Sequence, residues 1–312
     1  MSTRVETPPA EALTRPRRPW LVVGLSALVG FLFTVVWSAH FVDSVIGGTI
    51  ADGLLGHDAA ATPIAGVGAG VVFAFVSGLA GTFTACNIAA FGAMAPMAGD
   101  GGSGSRRVRH VLRSLGLLSI GMIAVSAAYG VVVALVGTRM PQFQETAAAG
   151  GLAPRLLQAM VVFGLVGLAM LYLGLAAAGL VPDPLARLTR RWPDAPVVVL
   201  GVLIGAFLIG RPFPLFRVMF RDAAESGNVF YGAAAFVLQS LGNILIMAVV
   251  LLLVTWLAGD RLGRWFAADP RRRAVLTAAA FVAAGVFLVL YWDVRILERR
   301  DIIPWYPVAP WV

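Results

Sequence analysis

The sequence predicts an all-α, polytopic membrane protein, and three observations carry that prediction. Hydrophobic residues make up 59% of the chain and charged residues only 13%, with a mean hydropathy of +0.85, outside the range of a soluble globule. Several apolar runs reach the roughly 20 residues that a helix needs to cross a bilayer. Every basic side chain is an arginine, and the arginines gather in the segments between those runs. That placement sets membrane orientation, so the net charge of +8 gives no reason to expect nucleic acid as a partner.

The elements follow in order. Residues 1–19 are polar, proline-bearing and basic, and read as a disordered cytoplasmic tail. The run from Trp20 to Val42 follows Arg15, Arg17 and Arg18, which is also the pattern of a signal peptide. Its length and the lack of a small-x-small cleavage site before Asp43 favour a retained span. Residues 20–62 are thus an extra first transmembrane helix with an outside loop rich in Gly and Asp.

Ile64 to Met97 is too long for one straight crossing of a hydrocarbon core about 30 Å thick, so tilt or a break near Thr82–Asn87 must absorb the excess. Further spans are expected at Leu115–Val136, Leu156–Val181, Val197 to about Met219, Phe230–Leu257 and Ala274–Trp292, giving seven. Gly99–Arg113, Asp183–Pro196 and the stretch with Arg261, Arg264 and Arg271–Arg273 are basic loops. Residues 294–312 place Trp305, Tyr306 and Trp311 among prolines, suited to the headgroup layer. With seven crossings, sixteen arginines fall on the amino-terminal side and seven on the other, with Arg211 left inside the membrane. The amino terminus is therefore expected inside and the carboxyl terminus outside.

Residues 63–293 divide into two sets of three spans, each opening with an interrupted one. Three crossings per set force the sets into opposite orientation, the plan of inverted repeats that meet at broken helices. The first interruption holds Thr82, Thr84, Cys86 and Asn87; the second holds Arg211, Pro212, Phe213 and Pro214. Polar groups in hydrocarbon need internal partners, so both clusters are candidate substrate-binding positions. Threonine can also satisfy its hydroxyl on the preceding turn, and a buried cysteine packs as a small apolar residue. Arg211 either faces a cavity or snorkels to an interface, and Pro212 frees a carbonyl and breaks the helix. Gln239, Ser240 and Asn243 share one face of the sixth span, where helix–helix bonding is the commoner use of such groups. Gln158 and Tyr172 are weaker candidates, and glycines 66, 68, 70, 116, 121, 164, 167 and 174 read as close-packing positions.

One cysteine excludes an intramolecular disulfide, and His40, His57 and His110 lie too far apart in sequence to suggest a metal centre. No cofactor is expected. With no phosphate loop, nucleotide fingerprint or catalytic triad, ATPase and hydrolase readings are disfavoured.

Gly78-Leu-Ala-Gly-Thr-Phe-Thr-Ala-Cys86, Gly201–Gly210 followed by Arg-Pro-Phe-Pro214, the turn Ala224–Gly232 and Ser240-Leu-Gly242 together resemble the transmembrane cytochrome c biogenesis family. That family is the CcdA/DsbD membrane domain within the LysE-type transporter superfamily. The resemblance spans about Gly66 to Tyr291 and implies six spans in two inverted halves, with a Pro-Cys motif opening each half. Cys86 is kept, but Ala85 and Ala89 stand where prolines are usual and Phe213 where the second cysteine belongs. Thiol–disulfide exchange needs an attacking and a resolving thiol, so a redox role requires a partner's cysteine or a homodimer.

The expected function is a transporter-like protein of the bacterial cytoplasmic membrane, moving a small solute, anion or metal species between the two broken helices. The alternative is a thiol–disulfide relay or cytochrome c assembly factor acting with an extracytoplasmic partner.

Overall fold

The computed structural model describes residues 15–38, 40–83, 105–146, 151–210, 214–269 and 271–312. Helix α1 (Pro19–Val36) opens on a proline, whose missing N–H costs nothing in a first turn. A π-helical stretch, Phe41–Gly48, leads into α2 (Thr49–Leu55), which stops at Gly56 with a left-handed φ of 75°. Helix α3 (Gly66–Ala80) tightens into a 3-10 turn at Gly81–Phe83. Then follow α4 (Ser105–Val136), α5 (Pro154–Ala177), short α6 (Ala186–Arg191), α7 (Ala195–Gly210) and α8 (Pro214–Ser226). Helix α9 (Val229–Ala268) is capped by Asn228, whose side chain accepts from the N–H groups of Phe230 and Tyr231. Helix α10 (Arg271–Val289) passes through π-helical Leu290–Val294 into α11 (Arg295–Glu298).

Among the described residues, α1, α4, α5, α9 and α10 are long and apolar enough to cross a membrane, and a bent α7–α8 pair would make six. Seven were expected from the sequence. The difference lies at α3, an apolar helix of 15 residues; residues 84–97 of the expected Ile64–Met97 span fall outside the described residues. The long helices turn large apolar side chains outward, among them Leu25 and Leu28 on α1, Ile120 and Leu135 on α4, Leu165 and Leu168 on α5, and Leu253 and Trp256 on α9. Such a girdle in water would be an aggregation hazard; against lipid it is the ordinary exterior. The chain is a helical polytopic membrane protein.

The interruption expected in the fifth span lies between α7 and α8, which are bent by 83°, and α8 is amphipathic, burying Leu215, Phe216, Met219 and Phe220. One further expectation is corrected. The basic loops are largely helical, since Arg106, Arg107, Arg109 and Arg113 lie in α4 and Arg261 and Arg264 in α9. Helical hydrogen bonding outlasts the apolar stretch because no proline interrupts α9 before Pro270. The carboxyl-terminal segment also closes the end of α1. The last four carbonyls of a helix need outside partners. Here Arg295 Nη1 donates to Thr34 O (2.8 Å) and Trp37 O (3.2 Å), Ala309 N–H to Val35 O (3.0 Å) and Trp311 Nε1 to Val36 O (3.3 Å).

Helix directions follow from who meets whom. Gly70 lies against Tyr231 and Gly78 against Gln239, so α3 and α9 run parallel. Gly201 meets Leu118 and Gly205 meets Met122, so α7 and α4 also run parallel. Helices α4 and α9 are antiparallel through Ser126–Ser240 and Gly130–Gly232, as are α5 and α10 through Gly167–Leu288 and Gly174–Val282. Two of these crossings are built alike. A Cβ at Gly78 would overlap the carbonyl oxygen of Gln239, and one at Gly242 that of Phe75; a Cβ at Gly201 would overlap the carbonyl oxygen of Leu118, and one at Gly121 that of Val198. Small residues let backbones touch where no water-driven force pulls helices together. Gly66, Gly68 and Gly116 face open space instead, so close packing does not explain them.

Candidate functional site

The described residues place the expected site positions in two separate regions. Thr82 is buried at the end of α3 and donates from Oγ1 to Gly78 O at 3.1 Å, the local bond that threonine makes inside helices. Gln239 and Asn243 are buried on α9 where Gly78 crosses it, and Ser240 beside them pairs with Ser126 of α4 at 2.5 Å. Thr84, Cys86, Asn87, Arg211, Pro212 and Phe213 fall outside the described residues. Pro214, the first residue of α8, lies elsewhere, on the wall of a cavity.

That cavity, of about 500 Å³, is formed by Ala60–Ile64 ahead of α3, by Gln142, Phe143 and Glu145 between α4 and α5, and by one face of α8. Three connections distant in sequence thus converge at one end of the bundle. A smaller chamber of about 10 Å³ shares Gln142, Phe143 and Arg217 with it and reaches Arg155, Gln158, Ile209 and Gly210. The pair forms a vestibule leading to the elbow where α7 ends and α8 begins.

Its lining comes from α5, α7, α8 and the connections ahead of α3 and between α4 and α5, and Tyr129 stands behind it. Tyr129 on α4 donates to Gln142 Oε1 at 2.6 Å and accepts from Gln158 Nε2 at 2.9 Å. The same Gln158 nitrogen donates to Ile209 O at 2.7 Å, satisfying one of the open carbonyls at the end of α7. Phe220, which lines the chamber, stacks on Phe236 at 4.6 Å, and both stand edge-on to Tyr129, so this side of the chamber is backed by aromatic rings. Above it, Glu145 Oε1 accepts from Arg155 at 2.5 Å and from Arg217 at 2.9 Å. On the vestibule rim, Asp222 accepts a short hydrogen bond from Tyr231.

Four buried polar atoms around the chamber have no hydrogen-bond partner: Arg155 Nε, Arg217 Nε, Gln142 Nε2 and Gln158 Oε1. Three of the four are donors. An unpaired buried polar atom is costly, so four together call for a partner such as water, an ion or a bound group.

Sequence reasoning ranked Gln158 low and treated Arg155 and Arg217 as orientation charges; Gln142, Glu145 and Tyr129 drew no notice. The available signal was a set of polar residues at span ends, Gln142, Glu145, Arg155 and Gln158, within one expected loop and the turn after it. Tyr172, the other weak candidate, is exposed on the outer surface. A second polar joint is formed by Asp293, whose Oδ2 is buried without a partner opposite Gly164 of α5. Among the described residues no cluster of His, Cys, Asp and Glu could hold a metal ion. No family model, curated protein or solved structure matches the chain.

Proposed function

We propose that this protein is an inverted-repeat membrane transporter. In this arrangement α3–α5 and α7–α10 are two related halves, α1 is an addition, and a small solute enters by the vestibule at the α7–α8 elbow. The matched glycine crossings are the observation that carries it. If α3 corresponds to α7 and α4 to α9, an in-plane two-fold axis exchanges the α3/α9 crossing with the α7/α4 crossing. Gly78 and Gly242 then take the parts of Gly201 and Gly121, each glycine set against a carbonyl three residues from its partner glycine. The same operation maps the antiparallel α4/α9 and α5/α10 pairs onto themselves. Unrelated helices have no reason to repeat that detail.

Seven crossings with the amino terminus inside belong to this proposal. The vestibule then opens outside, since its three contributing connections are those that the arginine distribution assigns to that side. The end of α7, with carbonyls that need partners, lies at its floor, as broken helices do in transporters. Rocking of one half against the other across the glycine contacts would give alternating access. The resemblance to the cytochrome c biogenesis family belongs to the same proposal, while its two-thiol chemistry finds one cysteine in this chain.

The test starts from a Cys86→Ser background with single cysteines at Ala61 and Val218, two vestibule positions. A membrane-impermeant maleimide should label both only from the outside of oriented vesicles. Proteoliposomes should take up at least one labelled solute from a panel of small acids, neutral amides and inorganic ions faster than empty vesicles. Labelling from the inside alone would overturn the orientation, and panel-wide flux at the empty-vesicle level would overturn transport.

A further inference from the structure

The pair of guanidiniums at the vestibule floor holds a carboxylate that the protein itself supplies. Arg155 comes from the first turn of α5 and Arg217 from α8, while Glu145 sits in the connection between α4 and α5. Both arginines donate through Nη1 to one oxygen, Glu145 Oε1. Their side chains are 22% and 38% exposed, whereas that of Glu145 is 55% exposed. The acceptor is thus the loosest member of the trio, and half-exposed ion pairs contribute little net stability. It can leave for water while the two cations stay fixed by their helices.

Donors outnumber acceptors below the pair. Arg155 Nε, Arg217 Nε and Gln142 Nε2 are buried and unpaired, and Gln142 as a whole is only 8% exposed. The lone unpaired acceptor is Gln158 Oε1, whose amide orientation is set by the bond from Nε2 to Ile209 O. A chamber of about 10 Å³ admits one water-sized group, and the adjoining 500 Å³ has room for a solute body. Arg221, Asp222 and Glu225 also line the vestibule, with Asp222 engaged by Tyr231. The excess of positive charge and donors therefore belongs to the floor.

We propose that Arg155 and Arg217 form an exchangeable carboxylate clamp, occupied at rest by Glu145 and taken over by the head group of a small soluble organic acid. One carboxylate oxygen replaces Glu145 Oε1 between the guanidiniums, and the other reaches the free N–H groups of the chamber, as planar two-point recognition by arginine favours. Glu145 then acts as a built-in competitor that keeps the clamp occupied and half-neutralised when no solute is present. This deepens the transport reading by naming the substrate class, and rests on it for the purpose of the clamp.

The experiment measures binding of labelled succinate and acetate to the full chain in neutral phosphatidylcholine nanodiscs, with acetamide as the uncharged competitor. Wild type should bind the acids, acetamide should not displace them, and added salt should weaken them. Glu145→Gln should tighten binding about tenfold or more by removing the competitor, while Arg155→Gln and Arg217→Gln should each weaken it about tenfold or more, tenfold being about 1.4 kcal/mol. Because an arginine variant can fail to fold, Glu145→Gln, a change at a half-exposed loop position, is the deciding variant. Unchanged or weaker acid binding in Glu145→Gln overturns the clamp. Equal competition by acetamide overturns it too. A gain seen only in phosphatidylglycerol nanodiscs, without competition by soluble acids, would assign the arginines to a lipid headgroup and overturn the soluble-acid assignment. Acid binding without uptake by proteoliposomes keeps the clamp and sinks the transport reading; uptake indifferent to Arg155 and Arg217 does the reverse.

Discussion

Arg295→Met should destabilise the protein by about 2 kcal/mol. Arg295 is 1% exposed, and its guanidinium makes two hydrogen bonds to the end of α1, at 2.8 Å to Thr34 O and 3.2 Å to Trp37 O. Hydrogen bonds to a charged group contribute about 1.5–3 kcal/mol each, and the longer one sits at the weak end. Its carbon also lies 4.9 Å from the centre of the Tyr291 ring, worth about 0.5–2 kcal/mol. Against these gains stands the cost of holding a cation whose Nε and Nη2 find no partner, several kcal/mol by the usual penalty for a buried ion. Methionine fills a similar volume and removes that cost, so the net loss should be a fraction of the gross bonds. The assay is unfolding in mixed micelles, comparing Arg295→Met with Trp311→Ala. Trp311 is 70% exposed and makes one 3.3 Å bond, so its loss should cost under about 1 kcal/mol. A loss under about 0.5 kcal/mol for Arg295→Met, or a larger loss for Trp311→Ala, would refute the view that Arg295 is the main cap of α1.

Other consequences can be checked with the same unfolding assay. Gly78→Ala and Gly201→Ala should each cost about 1–3 kcal/mol, since the new methyl overlaps a neighbouring carbonyl, whereas Gly116→Ala, with nothing within 4 Å, should be neutral or stabilising. Equal tolerance at all three would remove the support for matched crossings. Ser240→Ala should cost only about 0.6 kcal/mol, the usual worth of an interhelical hydrogen bond in a membrane, and should show no further loss when combined with Ser126→Ala. Asp260→Asn should cost less than about 1 kcal/mol, because its side chain is 76% exposed where it meets Arg107, and the effect should shrink in high salt. Cys86→Ser should leave solute uptake unchanged in vesicles; loss of a trapped mixed disulfide with an outside partner would instead favour the relay.

The spans were legible because hydrocarbon filters composition harshly, but their ends were not. Hydropathy falls where arginine begins, at Arg113 or Arg261, while the backbone stays helical until something physically stops it. Thus α9 runs 40 residues, about 60 Å, well past the apolar core. The break after α7 was readable from Pro212 and Pro214, yet the 83° turn was not, since it depends on α8 burying Phe216 and Phe220 against other helices. Glycine positions were visible, but which of them touch is a matter of pairing: Gly121 meets Val198, while Gly116, five residues earlier, meets nothing. Likewise Glu145 and Arg217 are 72 residues apart, and no local pattern announces their contact.

One physical rule does connect the scattered polar residues that the sequence left unexplained. Inside a bilayer the interior of a helix needs no help, and its unsatisfied backbone groups are confined to its ends. Arg295 and the tail serve the end of α1, Gln158 serves the end of α7, and Asn228 serves the start of α9. Side-chain atoms are left to spare at two of these places, the ends of α1 and α7, but only at α7 do several helices contribute at once beside a cavity. At α1 the spare guanidinium atoms are sealed under Tyr291 and the tail, so that joint is structural. At α7 the spare atoms surround a chamber that shares its wall with the larger cavity, and among the described residues the carboxylate meeting the arginines is the half-exposed Glu145. An interrupted helix exposes backbone groups; a site arises where the side chains that cover them are left with unused donors facing space.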